Sequence, residues 1–579
     1  MVLYRDMGCP MNGDVRQRII SDDYIDLIID YRNNPQLLQR YSDAVVHIMN
    51  DLYAILYLPA SYLTARNVTI RFSQIPNLLG LADINSLEAS GVTEIRNLPV
   101  LNLRGEGVLI AVIDTGIDYT NPAFLNPDGT TRIVSIWDQS IDTPGASPYN
   151  TEFGTEYTRE QINEALQSQA PFDIVPSRDT VGHGTMMAAV AAGNEDREEN
   201  FSGVAPASEL IVVKVRQAKK ALMDFFGIPE NVVCFQENTI MWAIQYAGMK
   251  AREIGRPLVI CLGCGTSQDA HDGRSNLGVF IDIIASFPNF VIVTPAGNEG
   301  NRGRHFYGVI DPAIGDTTVE LNVGEGESNF TMELWGNSPG IYSIDLLSPS
   351  GEYIPRIPPS LRVSRLITFI FEPTSINVDY YTVETRTGDQ LILFRFRNIT
   401  PGIWRITVYG QSDLATGFHI WLPMDRFITT DTYFIQPNIY TTVLSPGTAP
   451  APITVTAYNP LNGNLYVNSG RGYTRTNTIK PELAAPGVNY RAPTPEHTYR
   501  SFTGTSVAAA HMAGITALLL EWGTVRGNQP GMDSNAVKNY LIRGARRRSN
   551  LTYPNRDWGF GIVDIFNTFD ILRTDTGSF

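Results

Sequence analysis

The rhythm of hydrophobic and polar positions changes several times along this chain. Residues 1 to 85 hold apolar runs (YIDLIIDY, AVVHIMNDLYAILYLP, NVTIRF) between polar turns, which predicts a small α/β unit with two or more strands. From about 105 to 300, short apolar runs (GVLIAVIDTG, ELIVVKV, RPLVICLG, FVIVTPAGN) alternate with helical stretches (GTMMAAVAAG, ENTIMWAIQYAGMKAREIG, GVFIDIIASFP). That alternation predicts a mostly parallel sheet with helices on both faces. From about 306 to 440 the helical period disappears. TTVELNVGEG, NFTMELWGN, YSIDLLSP, RLITFIFEP, DQLILFRFRN, GIWRITVYG and FHIWLPM are separated by Gly, Pro, Asn and Ser turns, the pattern of an antiparallel sandwich or jelly roll. After about 450 the strand APITVTAYN and the long apolar helix GTSVAAAHMAGITALLLEWG restore the α/β pattern, so the all-β block reads as an insertion.

Composition narrows the classes open to the chain. Of its 579 residues, 43% are hydrophobic, enough for a large core and too many for wholesale disorder. The length suggests roughly three or four domains. A net charge of −15, with no long Lys/Arg run, argues against nucleic acid and anionic membrane as main partners. The one basic cluster, Arg546-Arg547-Arg548, reads as a solvated helix end. No stretch approaches the roughly 18 to 20 consecutive apolar residues of a membrane span. The first residues, MVLYRDMGCPMNGDVRQRII, lack a signal-peptide pattern, so cytoplasmic synthesis is expected. Four cysteines (Cys9, Cys234, Cys261, Cys264) are too few for a disulfide scaffold and read as free thiols in a reducing compartment. Cys261-x-x-Cys264 lies in an apolar run without a second ligand pair at metal-site spacing, and reads as buried strand cysteines.

Four short motifs carry chemistry. Val112-Ile113-Asp114-Thr115-Gly116 is an apolar strand ending in a carboxylate and a tight turn, where ligands bind in parallel α/β sheets. Taken alone, it reads as a helix-capping aspartate. Gly182-His183-Gly184-Thr185 opens a helix with an uncrowded imidazole, suited to proton transfer near neutral pH. Gly504-Thr505-Ser506 sets a serine at the start of a buried helix, where free N–H groups favour a developing oxyanion, although an N-cap serine has the same look. Thr294-Pro295-Ala296-Gly297-Asn298 ends a strand in an amide that is either a turn residue or an oxyanion donor.

Together, in the order Asp, His, Asn, Ser, these motifs resemble the subtilase family of serine proteases. Further matches are Ser202-Gly203-Val204-Ala205-Pro206, Val212-Val213-Lys214-Val215 and Lys480-Pro481-Glu482-Leu483-Ala484-Ala485-Pro486-Gly487-Val488. His271-Asp272-Gly273, the all-β insertion and Pro554-Asn555-Arg556-Asp557-Trp558-Gly559-Phe560-Gly561 resemble the clostridial germination-protease branch.

The resemblance implies an α/β, subtilisin-like parallel-sheet catalytic domain in two parts, 86–305 and 441–579. It also implies an inserted β jelly roll over 306–440 and a prodomain over 1–85 that acts as chaperone and inhibitor, with a self-processing junction near Ile84 to Ser90. His183 would be the base, Ser506 the nucleophile, Asp114 the group that orients His183, and the Asn298 amide an oxyanion donor. Gly263-Cys264-Gly265 stands where the family has Ser-Leu-Gly along the substrate, which predicts an enlarged or reshaped side-chain pocket. Ala123 stands where secreted relatives hold a calcium-binding Asp, so neither a metal nor another cofactor is expected. The implied partners are a protein substrate and the chain's own prodomain, bound in cis or in trans. The implied role is an endopeptidase that activates the zymogen of a spore-cortex hydrolase during germination, working in association with the spore. Three alternatives are a general processing or nutritional protease, a catalytically silent pseudoprotease serving as receptor or scaffold, and a glycan-binding β block. The last rests on Trp335, Tyr342, Trp404 and Tyr409, whose default reading is sandwich core.

Overall fold

In the structure, a computed structural model that describes residues 14–38, 41, 44–63, 70–81, 88–359 and 363–575, the apolar runs of the α/β part converge on one eight-stranded sheet. Its strands are β1 (Leu109–Asp114), β2 (Ile133–Asp138), β3 (Thr155–Thr158), β4 (Glu209–Lys214), β5 (Leu258–Leu262), β6 (Phe290–Pro295), β7 (Ile453–Tyr458) and β8 (Leu483–Pro486). They lie in the order β8-β7-β6-β5-β1-β4-β2-β3, and every neighbouring pair is parallel except β2 with the edge strand β3.

Why the strands read as continuous apolar runs is visible in their packing. Alternate residues face opposite sides, and both sides are covered. Ile110, Val112, Val259, Cys261, Val291 and Val455 meet helices α1 (His183–Ala192) and α2 (Thr505–Leu520). Leu109, Ala111, Ile113, Leu258 and Ile260 meet the helices Glu237–Ile254 and Asn276–Ala285. Both α1 and α2 are buried along their whole length, which accounts for their uniformly small and apolar sequences. Cys234, Cys261 and Cys264 are free and buried, and burial pushes the Cys234 thiol up to about 12. Cys9 lies outside the described residues. No described helix is long and apolar enough to cross a membrane.

Between β6 and β7 stands a two-sheet antiparallel sandwich. One sheet has six strands and carries Asn329–Gly336, Ser375–Tyr381, Gln390–Arg397 and Thr416–Trp421; the other has five, among them Asp316–Val323, Ile341–Leu347 and Gly402–Gln411. Tyr342 and Trp404 belong to its core, and Tyr409, half-buried, bonds Asp345. Trp335 is buried on the other face of the six-stranded sheet, so none of the four aromatics stands as an open sugar platform. That outer face is itself apolar: Trp335, Leu391, Leu393 and Trp421 share one cluster with residues from distant parts of the chain.

The first described segment supplies part of that cluster. Tyr24–Asp30, Val45–Ile48 and Tyr53–Pro59 form a three-stranded antiparallel sheet. Its residues Ile25, Leu27, Ala54 and Leu56 pack with Leu222, Met223 and Phe226 and with the sandwich's outer face. At its edge Asp26 is buried with Lys219, Nζ to Oδ1 2.5 Å, and also accepts from Gln236 (3.2 Å) and Asn238 (2.7 Å). Farther along, Leu78–Leu81 forms a strand between Phe235–Gln236 and Cys264–Gly265, antiparallel to both. The junction expected near Ile84 to Ser90 falls largely on residues 82–87, outside the described residues.

Beside this contact three histidines gather around one indole. His271, His305 and His419 stack on Trp421 with centroids 4.2, 4.9 and 5.0 Å away, and His305 Nε2 lies 2.9 Å from His419 Nδ1. Burial holds all three neutral, pushing His271 down to about 4 and His305 to about 3.

Candidate active site

The sheet's topology brings the carboxyl end of β1 to the amino ends of α1 and α2. Asp114 is the last residue of β1, His183 the first of α1, and Ser506 the second of α2. His183 Nδ1 lies 2.8 Å from Asp114 Oδ1, and His183 Nε2 lies 3.0 Å from Ser506 Oγ. An ionised carboxylate only accepts, so Nδ1 carries the proton toward Asp114 and Nε2 is left to accept from the serine hydroxyl. All three side chains are buried.

Asn298 follows β6 and the left-handed Gly297 (φ 91°). Its carbonyl accepts from both Thr505 N–H and Thr505 Oγ1, each at 3.2 Å, which turns its amide N–H groups the other way. The Ser506 N–H lies in the first turn of α2, where backbone donors have no intrahelical acceptor.

Two supports of this arrangement escaped sequence reasoning. Asp179 accepts from Val181 N–H, Gly182 N–H, Thr115 Oγ1 and both donors of Thr185, at 2.8 to 3.1 Å. It therefore ties the turn that carries His183 to the turn that carries Asp114. The signal available was an Asp four residues before a helix-opening histidine, close enough to reach the first-turn N–H groups. Leu444 is the second. A side chain built on Gly297 would begin 2.3 Å from Leu444 Cγ, and one on Gly265 would begin 3.0 Å from Leu444 Cβ. Leu444 thus fills the space that the two glycines leave beside Asn298.

Gly263, Cys264 and Gly265 divide their roles differently from the sequence expectation. Gly263 abuts the Asp–His pair: a Cβ there would fall 2.2 Å from Asp114 Oδ2 and 2.9 Å from His183 Cε1. Cys264 and Gly265 pair through their backbones with Leu81 and Gly80. Asp114 and His183 fill the space over Gly263, and Leu444 fills it over Gly265. Among the described residues no group of three or more His, Cys, Asp or Glu is placed to hold a metal ion, and Ala123 is buried in the turn Pro122–Phe124.

A doubly covered parallel sheet with a carboxylate–imidazole–hydroxyl chain at its carboxyl edge defines a subtilisin-like fold with the group set of a serine protease. The comparisons agree. The profile of the subtilase family matches residues 105–319 and 434–561, leaving out most of the sandwich. The solved structure of the Clostridium perfringens CspB protease is similar with 33% identity and a TM-score of 0.75, over 84% of this chain and 97% of that one. Subtilisin-like protease SBT1.9 of Arabidopsis thaliana is 23% identical over 89% of this chain and 69% of its own length. Mycosin-3 of Mycobacterium tuberculosis is 26% identical over 34% of each chain. This chain belongs to the subtilase family of serine proteases.

Proposed function

We propose that the protein is a serine endopeptidase that cuts its own N-terminal segment and then other proteins. The observation that carries this reading is the continuous hydrogen-bonded chain Asp114–His183–Ser506. Ser506 Oγ attacks a peptide carbonyl while its proton passes to His183 Nε2, and Asp114 holds the ring and stabilises the imidazolium. The tetrahedral oxyanion is held by the Asn298 amide and the Ser506 N–H. Collapse passes the proton from His183 to the leaving amine, and water then hydrolyses the acyl-enzyme by the same proton route.

The N-terminal segment reads as prodomain and first substrate. Support comes from Leu78–Leu81, which lies as a strand along Cys264–Gly265. The strand runs toward the junction expected near Ile84 to Ser90, where the chain is cut. On the resemblance to the clostridial germination proteases, the substrate in trans is the zymogen of a spore-cortex hydrolase, met in association with the spore. A second reading is favoured by the complete burial of Ser506: the site stays silent while Leu78–Leu81 occupies the cleft. The pseudoprotease reading finds no missing group among Asp114, His183, Asn298 and Ser506.

Intact mass with and without a fluorophosphonate probe tests the proposal. The expected result is a species cut between Ile84 and Ser90 that takes one adduct, while Ser506→Ala stays full-length and unlabelled. Full-length wild-type protein that takes no adduct, even after limited proteolysis of the N-terminal segment, would refute it.

A further inference from the structure

Upstream of the paired strand, the segment from Ile70 to Asn77 runs between the α/β part and the sandwich, and the contacts along it fall into two kinds. One kind grips backbone and reads no sequence. Asn276 Nδ2 donates to Ser73 O (2.8 Å), Glu237 N–H donates to Asn77 O (2.9 Å), Asn77 N–H reaches Glu237 Oε2 (3.3 Å), and Leu78 N–H donates to Gln268 Oε1 (2.9 Å). Glu237, Gln268 and Asn276 are all buried. The other kind takes side chains at three-residue spacing: Phe72, Ile75 and Leu78 are buried in one cluster with Ala270, Trp335, Leu391 and Leu393. Phe72 is 7% exposed, edge-on to Trp335 at 6.4 Å and tilted against Tyr381 at 6.2 Å between centroids. Trp335 is itself fixed, its Nε1–H donating to Glu333 Oε2 at 3.0 Å.

Trp335 and Tyr381 belong to the sandwich, which contributes nothing to the Asp114–His183–Ser506 chain. We propose that the sandwich extends the substrate cleft, with Trp335 and Tyr381 forming a remote subsite for an aromatic side chain nine residues N-terminal to the residue that pairs with Cys264. This inference rests on the protease reading of the site. Its occupant is a polypeptide with the pattern aromatic-x-x-aliphatic-x-x-aliphatic, turned through one 3₁₀ turn at the aromatic end and extended beyond it, as Phe72, Ile75 and Leu78 are in the channel. After the cut beyond Leu81, this strand has a free end and can peel out, while the three-stranded sheet stays anchored through Asp26 and Lys219. A protein cleaved in trans enters with the same polarity, because the strand pairing at Cys264–Gly265 fixes its direction. Its N-terminal flank then follows the same channel to Trp335. Burying a phenyl ring there should raise specificity by about tenfold to a hundredfold.

The test compares two quenched fluorogenic peptides on the full, self-processed protein. The long one has the sequence of residues 70–94 and the short one that of residues 78–94. The expected kcat/KM is at least about tenfold higher for the long peptide. That advantage should vanish when the peptide carries Phe72→Ala, or when the enzyme carries Trp335→Ala, and should survive largely in Trp335→Phe, which keeps a ring. Short-peptide turnover reports separately on the catalytic site, so a failure to cleave either peptide sinks the protease reading. Fluorescence anisotropy of both peptides on the unaltered protein decides the subsite in that event too. Equal kcat/KM and equal affinity for the two lengths would overturn the proposal.

Discussion

Gly263→Ala should uncouple the catalytic groups while leaving the fold in place. The new Cβ would lie 2.2 Å from Asp114 Oδ2, where a real Cβ comes no closer than 3.0 Å, so the carboxylate must retreat by about 0.8 Å. It has little freedom to do so gently. Asp114 ends a strand hydrogen-bonded on both sides, with β5 and β4, and its Oδ1 already accepts from Thr115 N–H at 2.7 Å. His183 Cε1 stands 2.9 Å from the same Cβ, so the ring is pushed as well. A displacement near 1 Å costs on the order of 10²-fold in rate, and complete loss of the orienting carboxylate about 10⁴-fold. The variant is therefore expected to lose about 10²- to 10⁴-fold in kcat, with KM changed by less than about threefold. Steady-state kinetics on a fluorogenic peptide, normalised by fluorophosphonate titration, would measure it. Overpacking of this kind costs about 1 to 3 kcal/mol, so thermal unfolding should still show a folded protein. A folded variant with kcat within threefold of wild type would refute the reasoning, because Gly263 would then not be the floor under Asp114.

Other outcomes follow from the same coordinates. Leu444→Ala should open the space between Gly265 and Gly297 and admit a large residue at the attacked carbonyl; peptides cut after Phe should gain at least tenfold in kcat/KM relative to peptides cut after Ala, roughly the worth of one or two buried methylenes or more, and an unchanged ratio would remove Leu444 from that role. Asp26→Ala strands the Lys219 charge in a buried place and should cost about 3 to 5 kcal/mol, read by urea unfolding, while Asp26→Leu with Lys219→Met should recover most of it; a loss under about 1 kcal/mol would show the pair to be dispensable. Because His271 and His305 are held neutral in the fold, at about 4 and about 3, their unfolded forms take up protons first as pH falls below about 6.5. Each histidine then takes away about 1.4 kcal/mol per pH unit from about pH 6.5 down to about pH 4, while Glu299 and Glu333, whose carboxyls burial pushes up to about 7, act in the opposite direction over the same range; His305→Asn should therefore lose less stability than wild type on acidification, by about 1.4 kcal/mol per pH unit, and identical slopes for the two proteins would contradict the burial of the His305 ring.

The parallel sheet, the β insertion and the four catalytic candidates were legible because each leaves a local mark. A doubly covered strand is an unbroken apolar run, and Asp114, His183, Asn298 and Ser506 each stand next to small residues that mark close backbone approach. Leu444 leaves no such mark. In TTVLSPG it is one apolar residue among others, and its place depends on two glycines far away along the chain. Asp26 was half legible: a carboxylate inside YIDLIID contradicts a buried strand unless a cation meets it, but nothing local points to Lys219. The shape of the wall along Gly263–Gly265 was illegible for a related reason. Absent side chains widen a space only when nothing else packs there, and packing is not a local property.

The shared apolar cluster also sets an order of events during synthesis. It joins Ile25, Leu27, Ala54 and Leu56 to Leu222 and Phe226, and then to Trp335, Leu391 and Trp421. Contacts so distant in sequence carry a large loop-closure cost before they are rewarded. A nascent chain would therefore hold its N-terminal sheet with part of one face bare until the sandwich has left the ribosome, several hundred residues later. At about 5 to 20 residues per second, that interval lasts tens of seconds. The chain is exposed to aggregation throughout it, and the completion of the β insertion, rather than of the catalytic sheet, ends the risk.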